Sequence, residues 1–331
     1  MPARRCFISH PLKPVAFIVN SSPRITLVIP VFNEEPVVPE LLRRLEDVFA
    51  SAPGCVWSTV FVNDGSRDRT GELLQAKCTQ DRRFKLIELS RNFGHQAALT
   101  AGLAHAGDAD AVVTMDADLQ DPPELIPELV AAWQTGSEVV LAVRRSRQET
   151  GLRRIGFDLF HGAFRKLTDF PVEPNTGTFG LLGRQAVAAF NQLSEKHRFF
   201  PGLRTWVGFK RGEIFYDRKE RAAGQPGQTF RRLVRYALDG VFSFSHLPLR
   251  LLTYAGLAIA GLGFAVGLFF IVRRLLGIEI AQTGFTTLVT LLLFLGGVQL
   301  IGIGVLGEYL GRIYDEVKQR PHYIIKNRSD A

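Results

Sequence analysis

A chain of 331 residues can hold one large domain or two ordinary ones, and its 46% hydrophobic content averages a mixed first part with a greasy last part. The formal charge of +8 and pI near 9.6 admit nucleic acid, an anionic membrane surface or phosphorylated ligands as partners; arginines clustered beside the apolar runs favour the last two, so no nucleic acid is expected. Three cysteines, Cys6, Cys55 and Cys78, share no metal-ligand spacing, and an odd number argues against a disulfide framework.

Residues 1–23 read as an irregular leader interrupted by Pro2, Pro11, Pro14 and Pro23. Arg4 and Arg5 precede no continuous apolar core, because His10, Pro11, Lys13 and Pro14 intervene; without a signal peptide the first domain is expected in the cytosol. From Ile25 short apolar strands alternate with helices: ITLVIPV, a helix over 36–49, STVFVND, a helix over 68–77, FKLIELS, a helix over 94–105, then AVVTMD. Such alternation predicts a Rossmann-like α/β domain over 24–228, its mostly parallel sheet covered by helices on both faces, with ligands at the strands' carboxyl ends. The polar clusters Asn33-Glu34-Glu35, Asn63-Asp64-Gly65-Ser66, Ser90-Arg91-Asn92 and Asp116 to Gln120 all fall at those ends. A further strand begins at Glu138, followed by a basic helical stretch over 151–168 and a glycine-rich strand near 176–183.

Phe230, Leu233, Val234, Ala237, Leu238 and Val241 recur at the spacing of one helix face, which predicts an amphipathic interface segment over 229–248. Residues 251–272 and 286–306 hold no formal charge, and each is close to the ~20 residues needed to cross a bilayer. Two transmembrane helices are therefore expected within 249–311, with a basic tail over 312–331. Arg231, Arg232, Arg235 and Arg250 before the first run and Arg312, Lys318, Arg320, Lys326 and Arg328 after the second favour cytosolic termini, against Arg273, Arg274 and Glu279 between them. The expectation is an integral protein of the inner (plasma) membrane.

A strand that ends in Asp116 and Asp118 suits a hard cation, since Mg²⁺ or Mn²⁺ takes one or two carboxylates and completes its shell with phosphates and water. Asp118 and Gln120 are the candidate ligands. The alternative is that the carboxylates only end the strand and cap the next helix. Asp64 could accept hydrogen bonds from a base or ribose beside the tight turn at Gly65, and Glu34 and Glu35 could equally complement a helix dipole. Arginine's planar fork suits phosphate oxygens, which nominates Arg144, Arg145, Arg153, Arg218 and Arg221 for an anionic acceptor.

The runs LVIPVFNEE, FVNDGSRDRT, LSRNFGHQAALTAGL and MDADLQDPPE resemble family 2 glycosyltransferases with a GT-A fold. RFFPGLRTWVGF, YDRKERAAG and ALDGVFSFSHLPLRL, followed by two apolar runs, are similar to their polyprenyl-phosphate branch, related to dolichol-phosphate mannose synthases. The resemblance implies inverting transfer of a hexose, glucose first among candidates, from a UDP-sugar to a polyprenyl phosphate, undecaprenyl phosphate if the source is bacterial. It implies that Pro30, Phe32, Glu34, Asp64, Asp116 and Ala117 contact the nucleotide, that Asp116 and Asp118 are catalytic, that Asp118 and Gln120 hold the metal, and that the protein is a homotetramer.

Two departures stand out. Asn175-Thr176-Gly177-Thr178-Phe179-Gly180 replaces a run whose carboxylates are sometimes nominated as catalytic base, and Gly224-Gln225-Pro226-Gly227-Gln228 lacks a lysine that many relatives have. The missing carboxylates motivate a rival reading, a nonenzymatic membrane scaffold or sensor. A processive polysaccharide synthase is set aside because Arg204-Thr205-Trp206 breaks the Gln-x-x-Arg-Trp motif, and a dehydrogenase because no Gly-x-Gly-x-x-Gly follows the first strand.

Overall fold

The computed structural model describes residues 22–145, 176–196, 198–217, 247–276 and 284–329. The leader, the basic stretch with Arg153, Asn175, and the segment from Arg218 and Arg221 through the amphipathic face lie outside the described residues.

The alternation expected from the sequence is present: β1 (Arg24–Val31), α1 (Val38–Ser51), β2 (Val56–Asn63), α2 (Thr70–Gln80), β3 (Phe84–Leu89), α3 (His95–Ala104), β4 (Ala111–Thr114), α4 (Ile126–Gln134) and β5 (Val139–Arg144). After these come β6 (Thr176–Gly183), α5 (Arg184–Gln192), α6 (Phe200–Trp206), β7 (Arg211–Tyr216), α7 (Leu247–Leu275), α8 (Phe285–Val317) and β8 (Ile325–Arg328). The eight strands form one sheet in the order β7-β5-β6-β4-β1-β2-β3-β8. Pairings β1–β2, β1–β4, β2–β3 and β5–β7 are parallel, whereas β6 is antiparallel to both β4 and β5, and β8 to β3. Six strands thus run one way and two the other, a mostly parallel sheet.

Every residue of β1 after Arg24 is buried, as a strand covered on both faces requires. On one side α1 inserts Leu41, Leu45, Val48 and Phe49 against Ile25, Leu27, Ile29 and Phe61. On the other α3 lies so close to β1 that a Cβ on Gly102 would sit 2.2 Å from Val28 Cγ1, so only glycine permits that approach.

The insertion of β6 between β4 and β5 sets the layout of the rim. Pairing puts Thr114 opposite Gly180 and Val143 opposite Thr176, so the start of β6 lies where β4 and β5 end. The strand beginning at Glu138 therefore does not flank β4, although it still delivers Arg144 to the same rim.

Helices α7 and α8 pack on each other, with Gly302 beside Leu252. Among the described residues they carry most of the exposed large apolar side chains, including Leu257, Phe264, Leu300 and Ile303. Among the described residues one segment, Phe294–Val317, is long and apolar enough to cross a membrane by length and composition; Leu251–Val266 is a shorter apolar stretch. Helix α8 runs on past residue 311, and the tail then returns to the sheet. Strand β8 pairs with β3, Ser90 N–H donates to the Ile324 carbonyl at 2.9 Å, and Leu86 N–H donates to Ser329 Oγ at 2.7 Å. Tyr323 and Ile325 pack against the cluster of Val60, Val62, Ile87 and Leu89.

Candidate active site at the carboxyl rim

The loops after β1 and β2 are stitched together by main-chain donors. Asn33 N–H donates to Ser66 Oγ at 3.0 Å, Arg67 N–H to Asn33 Oδ1 at 2.8 Å, Glu34 N–H to Thr70 Oγ1 at 2.9 Å and Glu35 N–H to Asp68 Oδ2 at 3.1 Å. Asn33 itself takes a left-handed conformation, φ 54°. The two motifs that looked like separate turns in the sequence are one cross-braced unit.

Asp64 is buried, and its carboxylate accepts the Phe93 N–H at 2.7 Å and the Gly94 N–H at 2.9 Å. Burial raises its pKa above the usual carboxylate value, and those two donors offset only part of the rise. Next to it Gly65 adopts φ +71°, and a Cβ there would lie 2.6 Å from the Arg91 carbonyl carbon. The β2 loop thereby grips the β3 loop.

After β4 the chain makes a tight acidic loop. Leu119 is left-handed at φ 58°, and Gln120 N–H donates to Asp118 Oδ1 at 3.2 Å. Asp116 Oδ1 lies 2.9 Å from His95 Nε2. Burial opposes protonation of this imidazole, but the bond to Asp116 and the charges of Asp64 and Asp118 outweigh it, raising its pKa above 6.5.

A cleft of about 640 Å³ opens over these loops. It brings together Pro30, Phe32, Glu34, Asp64, Asp116, Ala117 and Asp118, and adds Val31, Asn92, Gly94 and His95. Phe32 is 41% exposed, which leaves an aromatic surface available in the cleft. Gln120 is half-buried and does not line it. His95 went unread in the sequence; the available signal was a titratable side chain opening a helix straight after the rim of β3.

Of the arginines proposed for an acceptor, Arg144 is half-buried at the end of β5, where Nε donates to Tyr216 Oη at 3.2 Å and Nη2 lies 3.9 Å from Asp121 Oδ1. Arg145 is exposed beyond it and is joined to β7 through its main chain, its N–H donating to the Tyr216 carbonyl. Arg204, which the sequence offered only as part of a broken motif, is 1% exposed and bridges the Phe179 and Gly177 carbonyls at 3.3 and 3.2 Å. Burial pushes its pKa down to about 10, which still leaves a cation behind β6 at neutral pH.

Among the described residues no three His, Cys, Asp or Glu side chains converge as a metal cage. Asp118, 9% exposed on a cleft wall, instead fits a cation held by few protein oxygens, whose remaining positions fall to phosphate and water.

An open, mostly parallel sheet with a cleft across the carboxyl ends of its strands is the layout in which α/β proteins bind their ligands. The model of glycosyl transferase family 2 matches residues 26–189, and that of the GtrB C-terminal hairpin matches 247–313. The chain is 43% identical to an uncharacterized glycosyltransferase of Synechocystis over 92% of this chain and 95% of the relative. It is 41% identical to an uncharacterized glycosyltransferase of Bacillus subtilis (91% and 93%) and 43% identical to the bactoprenol glucosyl transferase of Shigella phage SfV (92% and 98%). The chain belongs to glycosyl transferase family 2, and it is a glycosyltransferase.

Proposed function

We propose that this enzyme transfers glucose from UDP-glucose to a membrane polyprenyl phosphate with inversion at the anomeric carbon. The observation that carries the reading is the match along nearly the whole chain to a phage enzyme named a bactoprenol glucosyl transferase, bactoprenol being a polyprenyl carrier. The cleft supports it. Phe32 and Pro30 would flank the base, Asp64 and Glu34 would accept hydrogen bonds from the nucleoside, and Asp116 and Ala117 would lie along the ribose and diphosphate. Asp118 and Gln120 would hold Mg²⁺ or Mn²⁺, which when bound supplies positive charge to the departing diphosphate. Arg144 would hold the acceptor phosphate, with Arg145, Arg153, Arg218 and Arg221 around it.

An acceptor phosphate oxygen attacks the anomeric carbon as the bond from that carbon to the UDP oxygen breaks, and UDP leaves with the electron pair. A phosphate monoester has a second pKa of about 6, so at pH 7 the nucleophile is already ionised and needs no base. The absence of carboxylates at Asn175 and Thr178 is then no obstacle, because alignment and charge stabilisation supply the rate.

The membrane belongs to the same reading. The return of β8 to the sheet that also contains β1 to β7 supports a reading in which the chain enters and leaves the helical pair on one side of the bilayer. An even number of crossings fits that return. In this reading α7 and α8 both span, and the basic flanks favour a cytosolic sheet and cytosolic termini at the plasma membrane. In the same reading the enzyme is a homotetramer, which the mass of the detergent-solubilised protein tests.

Purified protein would be incubated with radiolabelled UDP-glucose, Mg²⁺ and polyprenyl phosphate in detergent. Label entering the organic phase is expected. Nucleotide binding without transfer across a panel of UDP-hexoses would overturn the reading.

A further inference from the structure

We propose that Tyr216 is a positioning residue for the acceptor: its hydroxyl holds the Arg144 guanidinium at the rim and ties it to the acidic loop that handles the donor. The inference rests on the reading of Arg144 as the acceptor-phosphate arginine.

Strand β7 is the sheet's edge, and its side chains alternate between exposed and half-buried until the last residue, Tyr216, which is 5% exposed. Its ring meets Phe179 edge-on at 5.8 Å. Its hydroxyl donates to Asp121 Oδ1 at 2.5 Å and accepts from Arg144 Nε at 3.2 Å. Burial first, and then the Asp121 charge, raise the phenol's pKa, so it stays a donor across the working range. Arg144 Nη2 and Asp121 Oδ1 are 3.9 Å apart, too far for a hydrogen bond. The hydroxyl is thus a hydrogen-bonded link between the arginine and a carboxylate that is fully buried at the end of the Asp116 to Asp121 loop.

A second wall fixes the other end of the guanidinium. A Cβ on Gly177, at the start of β6, would lie 2.6 Å from Arg144 Nη2. Arg144 is therefore held through Nε by β7 and bounded at Nη2 by β6, with its position set relative to the loop bearing Asp116 and Asp118. Removing the hydroxyl frees the guanidinium to close on Asp121 and withdraw from the rim. Crowding at Gly177 displaces it from the opposite side while leaving the Tyr216–Asp121 bond in place.

Tyr216→Phe keeps the ring and its packing. In steady-state assays with varied polyprenyl phosphate and varied UDP-sugar, it should raise the acceptor KM about tenfold, the scale of one hydrogen bond to a charged group, and leave UDP affinity within about twofold. Gly177→Ala should give the same split, and because the atom it meets is the mobile end of a side chain, it tests the inference even if the phenylalanine variant folds poorly. Arg144→Ala is assayed alongside. If Arg144→Ala raises the acceptor KM and neither of the other variants does, the positioning role is wrong and the acceptor reading stands. If Arg144→Ala leaves the acceptor KM unchanged, the acceptor reading fails and the inference with it. A parallel loss of UDP affinity in Tyr216→Phe and Gly177→Ala would mark a merely structural role and also overturn the proposal.

Discussion

The sheet has two halves that reach the same rim by different means. On the β3-β2-β1-β4 side each loop follows its own strand directly, and the loops lock through main-chain donors onto Asn33, Glu35, Asp64 and Asp68. On the β6-β5-β7 side side chains from separate strands meet: Arg144 from β5, Tyr216 from β7, and Arg204 reaching β6 from α6. The difference fits the two tasks proposed for the site. A rigid, backbone-built cradle suits a nucleotide, whose shape is constant, whereas a side-chain network fixes the Arg144 guanidinium at the end of β5 without a dedicated loop.

If the first half handles the donor, its carboxylates should be the most sensitive point in the molecule. Asp118→Ala is expected to lower turnover by about 100-fold or more in the label-transfer assay, the scale of losing a principal charge-stabilising group. Retention of most activity would break the assignment of the acidic loop. Gly65→Ala tests the cradle by strain: a left-handed φ and a backbone clash at 2.6 Å should cost about 2 kcal/mol, read as a lower Tm and weaker UDP binding together. An unchanged melt would mean that the β2 and β3 loops are not locked as described.

His95→Gln should weaken the donor KM about fivefold, since it removes one charge-assisted bond at the cleft wall. Its effect on stability has a sign. The histidine's pKa is raised in the folded protein, so the stabilisation it gives is fully present below its ordinary value of 6.5 and is lost as pH rises through the raised value. Thermal melts of wild type and variant should therefore converge as pH rises. Divergence in that direction would show that the histidine is not held as a cation by Asp116. The other half is expected to be far less sensitive than Asp118. Thr178→Ala should keep at least about a tenth of the turnover, a loss below ~1.4 kcal/mol in the barrier. Complete inactivity would return the search for a base to β6.

The legibility of these residues followed the same division. Asp64, Asp116 and Asp118 could be read because each directly follows an apolar strand whose direction the alternation dictates, and the carboxyl end of such a strand is a rim wherever it sits in the sheet. Gln120 was nominated beside Asp118, yet its side chain lies off the cleft wall, since the left-handed turn at Leu119 redirects the chain in a way that spacing does not reveal. Tyr216, Asp121 and Arg204 carried no local signal. Their roles depend on β6 entering antiparallel between β4 and β5 and on β7 joining the edge, and these pairings join residues far apart in the chain.

The tail shows the limit from the other end. Four residues, Ile325–Arg328, look like part of a basic extension, and only the unpaired edge of β3 makes them a strand. By itself the sequence determined the strand and helix alternation, the acidic rim and the apolar hairpin, because periodicity and strand-end chemistry are local properties of the chain. Tertiary structure alone decided which strands are neighbours, and hence which arginine faces which carboxylate, because hydrogen-bond pairing between distant segments is a property of the folded whole.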